Sequence, residues 1–198
     1  MYNIPMTRDE AYQLLTKYLK NKNLIKHSLA AEVTMRALYR RLTPKDEQNI
    51  ANEEKWGITG LLHDIDYEVA QETNHLKKHG ILLFETNQIT LPEDIAYAIK
   101  AHNFHDTGVE PKSNMDWSIV TCDRLTGFIV AAALVHPEKK LELLSVESIL
   151  KRFKEKSFAK AVNRDSIRLC EDKLGIPLQE FVEITLHAMQ KISTSLGL

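Results

Sequence analysis

Cysteine is scarce in this sequence, because only Cys122 and Cys170 occur among its 198 residues. One widely separated pair excludes a disulfide framework and a cysteine-based zinc finger. A large excess of charge of one sign is also missing, since 26 Lys and Arg residues balance 27 Asp and Glu residues. This near-neutral balance argues against a protein whose main partner is duplex nucleic acid or an anionic membrane surface.

Long apolar runs are missing as well. No stretch approaches the roughly 20 consecutive apolar residues of a membrane span, and the opening residues MYNIPMTRDE lack the basic-then-apolar order of a signal peptide. We therefore expect a cytoplasmic protein without a membrane partner. The length fits one domain over residues 1–198, and such a chain can fold without a disulfide or a structural metal.

The sequence does contain a series of amphipathic segments with helical periodicity. The first follows a capping box, TRDE, at residues 7–10. The other predicted helices run from after Asn23 to Leu42, from Trp56 through about Asp64, and over 73–88, 92–102, 115–135, 145–154, 163–174 and 177–195. Segments 43–54 and 103–114 are predicted as loops. No useful strand alternation or repeat occurs, so the predicted fold class is all-α.

Side chains that can bind metal lie on the apolar faces of several predicted helices. They are His27, the adjacent pair His63 and Asp64 in the run GLLHD, His102, and Asp123 within SIVTCDRLTGFIVAAALV. A carboxylate in such a helix is costly unless it is paired, hydrogen-bonded or bound to a cation. Each residue alone has an ordinary structural explanation, and Asp123 has Arg124 as an adjacent ion-pair partner. Together they can converge in a helical core, where bundle proteins build metal sites.

The order of these residues resembles the HD superfamily of metal-dependent phosphohydrolases. His27, then His63-Asp64, then Asp123 match the family's ligands in order. Similarity to a branch of small bacterial HD proteins, many known only as predicted hydrolases, extends to KKHGILL, AIKAHNFHDTG and KRFKEKSFAKAVNR. It covers about residues 10–195. It implies an HD-domain helical bundle with a core at about 20–140 and a C-terminal helical extension at about 141–198.

The resemblance also implies the metal ligands. The minimal set for one ion is His27, His63, Asp64 and Asp123. Three more histidines, His79, His102 and His105, match the extra ligands of dinuclear HD branches, which places Asp64 between two ions. Alternatively, these three histidines hydrogen-bond substrate phosphate around a single ion. The donor set suits divalent Fe, Mn, Zn, Co or Ni.

Two assignments within this site stay open. His75 competes with His79 as a ligand, and His79 is favoured because the HGIL run matches the family pattern. The basic run at 151–164 is either a solvated helix face, which is the commoner case, or a substrate clamp. The oligomeric state, monomer or dimer, is also open.

The implied activity is hydrolysis of a small phosphoester, with a nucleotide or a dinucleoside polyphosphate as the preferred substrate. Asp64 is the central ligand, Asp66 a candidate for orienting water or carrying a proton, and Lys78 and Arg124 candidate phosphate-binding cations. Substrate specificity is expected in loops 43–54 and 103–114. Two other functions remain: a dinuclear-iron oxygenase of HD type, and a sensor that binds a metal or nucleotide without catalysis.

Overall fold

The computed structural model describes residues 6–198 and is an all-α bundle without a strand in that range, which confirms the predicted fold class. Residues 1–5, part of the segment assessed for a signal peptide, lie outside the described residues. The helices are α1 (Arg8–Tyr18), α2 (Lys22–Leu42), α3 (Ile50–Leu62), α4 (Tyr67–Glu72), α5 (Leu82–Glu85), α6 (Glu93–His102), α7 (Phe104–Thr107), α8 (Asn114–Leu134), α9 (Val146–Lys154), α10 (Arg164–Leu174), α11 (Leu178–Gln190) and α12 (Ser193–Leu196).

Local sequence signals set most helix ends. Thr7 and Glu10 form the predicted capping box at the start of α1. Pro92 precedes α6, which ends at His102 as predicted. Gly175 ends α10 in the left-handed conformation, with φ of 64°, which glycine adopts without steric cost.

The apolar faces of the helices form two clusters of buried residues. One cluster joins α2 and α8 to α9, α10 and α11, with Phe128 and Phe181 fully buried. The other joins α1, α3 and α6, with Leu62 and Ile99 fully buried. Burial of this apolar surface is the main force that holds the helices together.

The segment predicted as a helix over 73–88 is the main error in secondary structure. It contains only a 3₁₀ turn, Leu76–Lys78, and the short helix α5. Asn74 and Gly80 have φ values of 58° and 96°, which interrupt a right-handed helix. The amides of Gly80 and Leu82 donate to the Asp66 carboxylate rather than to a helical carbonyl ladder.

Three smaller boundaries also differ from the prediction. Helix α3 begins at Ile50, inside the predicted loop 43–54, because Asn49 caps it by accepting from the Asn52 amide. The predicted loop 103–114 contains the short helix α7. The segment predicted as one helix over 177–195 is divided between α11 and α12.

Helix α8 is long and apolar enough to cross a membrane by length and composition, although no membrane span is expected from the sequence. Its most apolar 18-residue window has a mean hydropathy of 1.3, and 67% of that window is buried inside the bundle. A core helix packed on several sides passes the same test.

Close packing of α3 against α2 leads directly to the polar centre of the bundle. A Cβ atom added to Gly60 would lie 2.6 Å from the Ala31 carbonyl oxygen, so no other residue fits at this crossing without backbone movement. The close approach holds His63, which follows α3, beside His27 on α2, with ring centroids 5.1 Å apart.

Candidate metal centre

Six of the predicted ligands converge from separate elements at the centre of the bundle. They are His27 on α2, His63 and Asp64 directly after α3, His79 after the 3₁₀ turn, His102 as the last residue of α6, and Asp123 on α8. These side chains form two groups that meet at Asp64.

The first group contains His27, His63 and Asp64, whose ligand atoms all lie within 4.8 Å of one another. The Asp123 carboxylate adjoins it. Its Oδ1 lies 2.9 Å from His27 Nε2 and 3.7 Å from His63 Nε2. This group therefore offers two imidazole nitrogens and two carboxylates.

The second group contains Asp64, His79 and His102, again with ligand atoms within 4.8 Å of one another. Asp64 Oδ1 lies 3.0 Å from His79 Nε2 and 3.6 Å from His102 Nε2. The other oxygen of the same carboxylate, Oδ2, lies 3.5 Å from His27 Nε2. Asp64 thus faces both groups.

The surroundings of each imidazole fix which nitrogen faces the centre. His63 Nδ1 donates to the Gly60 carbonyl at 2.8 Å, and His102 Nδ1 donates to the Ile99 carbonyl at 2.5 Å. A carbonyl oxygen only accepts, so Nδ1 carries the proton and Nε2 is left as a ligand atom. His79 Nδ1 likewise donates to Asp66 Oδ1 at 2.7 Å. Outer hydrogen bonds of this kind are typical of metal-binding histidines.

His27 is oriented in the same way by α8. Its Nδ1 lies 3.4 Å from the Thr126 hydroxyl, which itself donates to the Asp123 carbonyl at 2.8 Å. The hydroxyl is therefore an acceptor toward His27. All four imidazoles turn Nε2 inward.

The inward nitrogens approach each other closely in both groups. His27 and His63 place their Nε2 atoms 3.3 Å apart, and His79 and His102 place theirs 3.1 Å apart. Two imidazole nitrogens at this distance repel each other unless a proton or a metal cation lies between them. Each group can therefore hold a cation, and its nitrogen and oxygen donors suit divalent transition metals.

The charges of the site are compatible with cation binding. Burial raises the pKa of the Asp64 carboxyl, but the adjacent His63 and hydrogen bonds from His102 and His79 outweigh it and hold the pKa well below its ordinary value. Burial likewise raises the pKa of the Asp123 carboxyl. The hydrogen bonds with His27 and His63 outweigh burial and hold this pKa well below its ordinary value. Both carboxylates are therefore anionic and available as ligands.

One imidazole in each group has a raised pKa. Burial lowers the pKa of His79, but Asp64 and Asp66 raise it to about 10. Burial also lowers the pKa of His27, and Asp123 and Asp64 raise it above its usual value. Metal binding to sites of this kind displaces protons from the ligand side chains.

A cavity of about 440 Å³ opens onto the two groups. It exposes one face of His27, Asp64, His79 and Asp123, whereas His63 and His102 do not line it. The remaining lining residues are Leu24, Tyr67, Leu76, Asn103, Asp106, Arg124, Gly127, Ala161 and Val162. A molecule in this cavity would lie directly against the converging side chains.

Arg124 is the only lysine or arginine among the lining residues. Its side chain is 46% exposed, and its Nε lies 3.4 Å from Asp123 Oδ2. The remaining guanidinium N–H groups are free to bind an anion next to the metal groups. This location agrees with the predicted role of Arg124 as a phosphate-binding cation.

Asp66 and Lys78 do not have the positions expected of them. Asp66 is 1% exposed, and both its oxygens accept backbone N–H bonds, so it orients His79 and does not handle water in the cavity. Lys78 forms an ion pair with Glu85 at 2.8 Å and does not line the cavity.

The structure also separates the three uncertain histidines. His79 is buried in the second group, whereas its rival His75 is exposed. His105 is exposed and stacks on Phe104, with ring centroids 3.9 Å apart. It lies outside both groups, because it belongs to α7, which follows the end of α6 at His102.

The basic run at 151–164 has a third role that neither sequence interpretation contained. Arg164 donates to the carbonyls of Phe153, Glu155 and Phe158 and so fastens the loop after α9. Residues Ala161 and Val162 of that loop form part of the cavity wall. Arg164 therefore shapes the cavity without facing it.

Comparison of the chain with protein-family models, with curated proteins and with solved structures found no match in any of the three. What is shown is an all-helical chain with a His/Asp cluster that can hold metal and that is compatible with an HD-type domain.

Replacing Asp66 with asparagine should weaken metal binding in the second group specifically. The amide cannot accept from His79 and from two backbone N–H groups as the carboxylate does. We expect affinity for the ion at His79 and His102 to fall by about 10–100-fold. Isothermal titration calorimetry with the metal ion measures the two affinities. Asp106→Asn, which changes a cavity-lining carboxylate outside both groups, is the control. Two unchanged binding steps in the Asp66 variant would contradict the orienting role.

Proposed function

We propose that this protein is a metal-dependent phosphohydrolase of the HD type that cleaves a small phosphoester with metal-activated water. The observation that carries the proposal is the pair of His/Asp groups sharing Asp64, placed at the base of a cavity that also contains Arg124. The order of the ligands along the chain, which resembles the HD superfamily, supports the same reading.

Two ions fit the donors better than one. His27, His63 and Asp123 would hold the first ion, His79 and His102 the second, and Asp64 would bind both. If all six side chains bound a single ion, that ion would have no open position for substrate. When the side chains are divided into two groups, each ion stays accessible from the cavity. When bound, a divalent ion lowers the pKa of its water from about 15.7 to about 7–9 and neutralises phosphoryl oxygens.

The chain's own residues then bind and orient the substrate. The Arg124 guanidinium binds a phosphoryl oxygen beside Asp123 and holds the phosphate against the metal groups. Asp106 lines the cavity without belonging to either group, and it takes a hydrogen bond from Asn103. Its carboxylate can therefore accept a hydrogen bond from the alcohol portion of the phosphoester. Leu24 and Val162 cover the cavity wall and exclude water.

The charges of the cavity favour a substrate with one phosphate group. Among the lining residues, Arg124 is the single guanidinium or ammonium group, and Asp106 adds a negative charge at the same opening. A polyphosphate would need further cations. We therefore rank a phosphate monoester, including a nucleoside monophosphate, above a dinucleoside polyphosphate. The volume of about 440 Å³ lies within the usual range for small-molecule sites.

Metal analysis of the purified protein, followed by a phosphoester panel, tests this function. The panel should include a nucleoside monophosphate, a dinucleoside polyphosphate and an aryl phosphate, each with Mn, Fe, Co, Ni or Zn. We expect bound transition metal and metal-dependent release of phosphate from the monoesters. An iron-loaded protein that consumes oxygen and releases no phosphate would contradict the proposal and favour the oxygenase. Metal or nucleotide binding without either reaction would favour the sensor.

Replacing Arg124 with alanine should lower kcat/KM for the monoester by about 10–100-fold, because a charge-assisted contact to phosphate is lost. Metal content should change little, since the guanidinium is no metal ligand. Steady-state kinetics with Lys78→Ala as the control distinguish the two candidate cations. Equal losses in both variants, or none in the Arg124 variant, would contradict the role given to Arg124.

A further inference from the structure

Gly127 occupies an unusual position in the longest apolar helix. It lies in the interior of α8, one turn after Asp123, where glycine is a poorer helix former than alanine. Glycine in a helix interior has a physical reason where close packing, a positive φ or a ligand leaves no room for a side chain. The structure allows each of these reasons to be tested.

Packing within the protein does not require this glycine. A Cβ atom added at Gly127 meets no neighbouring heavy atom within 4 Å. The two glycines of α3 are different, because an added Cβ would meet the Arg36 side chain at 2.4 Å from Gly57 and the Ala31 backbone at 2.6 Å from Gly60. Gly127 has no positive φ either. The open space beside it is the cavity itself.

The position of Gly127 in the cavity indicates which part of a ligand would lie there. Asp123 and Arg124, one turn earlier on α8, mark the end where a phosphate binds. The neighbouring Phe128 packs on Phe158, with ring centroids 5.3 Å apart, so the loop after α9 lies against α8 here. That loop contributes Ala161 and Val162 to the wall. The cavity wall formed by α8 and this loop therefore includes the uncharged residues Gly127, Ala161 and Val162 beside the charged pair.

We propose that Gly127 determines substrate size, because its missing side chain leaves the room along α8 that an uncharged organic group of a phosphate monoester occupies. This inference rests on the proposed function. It also moves the expected specificity determinant away from loop 43–54, none of whose residues lines the cavity, to α8 and the loop after α9.

Binding of two stable phosphonates to the metal-loaded protein tests the inference without requiring turnover. Methylphosphonate occupies only the phosphate end, and phenylphosphonate adds an apolar ring. In Gly127→Leu we expect the Kd for phenylphosphonate to rise by about tenfold or more, and the Kd for methylphosphonate to stay within about twofold. Metal content should stay at the wild-type level. Ala131→Leu places a leucine side chain one turn later on α8, outside the cavity lining, and should leave both Kd values unchanged.

Gly127→Ala provides a second test if the leucine variant does not fold. It should raise the melting temperature by about 2–4 °C through better helix formation, and it should still weaken phenylphosphonate more than methylphosphonate. Equal effects on both phosphonates, or none, in a Gly127 variant that retains its metal would overturn the inference. Failure of the metal-loaded wild-type protein to bind either phosphonate would instead overturn the proposed function, and this inference with it.

Discussion

Alanine in place of Asp64 is expected to remove both metal ions and with them all hydrolysis. Asp64 is the only residue in both ligand groups, with Oδ1 at 3.0 Å from His79 Nε2 and Oδ2 at 3.5 Å from His27 Nε2. Its loss leaves the second group with imidazole donors alone, and leaves the first group with Asp123 as its single carboxylate. Metal analysis should show a fall from about two equivalents to well below one.

Two further variants make this result specific. His102→Ala should lose about one equivalent, because it removes a donor from the second group alone. Asp106→Ala removes a cavity-lining carboxylate that belongs to neither group, and it should retain the wild-type metal content. Full metal content in Asp64→Ala would show that the ions are held elsewhere.

A second large effect is expected from Gly60→Ala, which adds one methyl group at the crossing of α2 and α3. The new Cβ would lie 2.6 Å from the Ala31 carbonyl oxygen and 2.8 Å from the Glu32 nitrogen, and backbone atoms cannot move away as a flexible side chain can. We expect destabilisation of about 1–3 kcal/mol, which lowers the melting temperature by about 3–10 °C. Thermal unfolding followed by circular dichroism measures it.

The same variant should also weaken metal binding. Separation of α3 from α2 moves His63 away from His27 and disturbs the Gly60 carbonyl that accepts from His63 Nδ1. Gly57→Ala is the control on the same helix, because the three atoms nearest its Cβ belong to the guanidinium end of the Arg36 side chain rather than to backbone. A Gly60→Ala protein as stable and as metal-rich as Gly57→Ala would show that close packing at Gly60 does not matter.

Much of this architecture could be predicted from the sequence, because its signals are local. Helical periodicity and the capping residues around Thr7, Pro92 and Gly175 indicate the all-α class and most helix ends. The apolar contexts of His63-Asp64 and Asp123 identified side chains that the structure indeed brings together. A charged residue on an apolar helix face is informative because its burial is costly.

What the sequence could not show depends on contacts between distant segments. Asp66 was predicted as a candidate for orienting water or carrying a proton, but its partners are the amides of Gly80 and Leu82, in a segment that was wrongly predicted to be helical. Similarly, the position of Arg164 in a basic run did not indicate that its guanidinium donates to backbone carbonyls of the segment that forms part of the cavity wall. His105 matched a family pattern, but α7 carries it to the surface.

The most direct test of the central claim is anomalous diffraction from crystals grown with Mn²⁺. The account predicts two anomalous peaks, one on each side of the Asp64 carboxylate. The first would lie among His27, His63 and Asp123, and the second beside His79 and His102. Crystals with a single peak at Asp64, or with none among these side chains, would contradict the account.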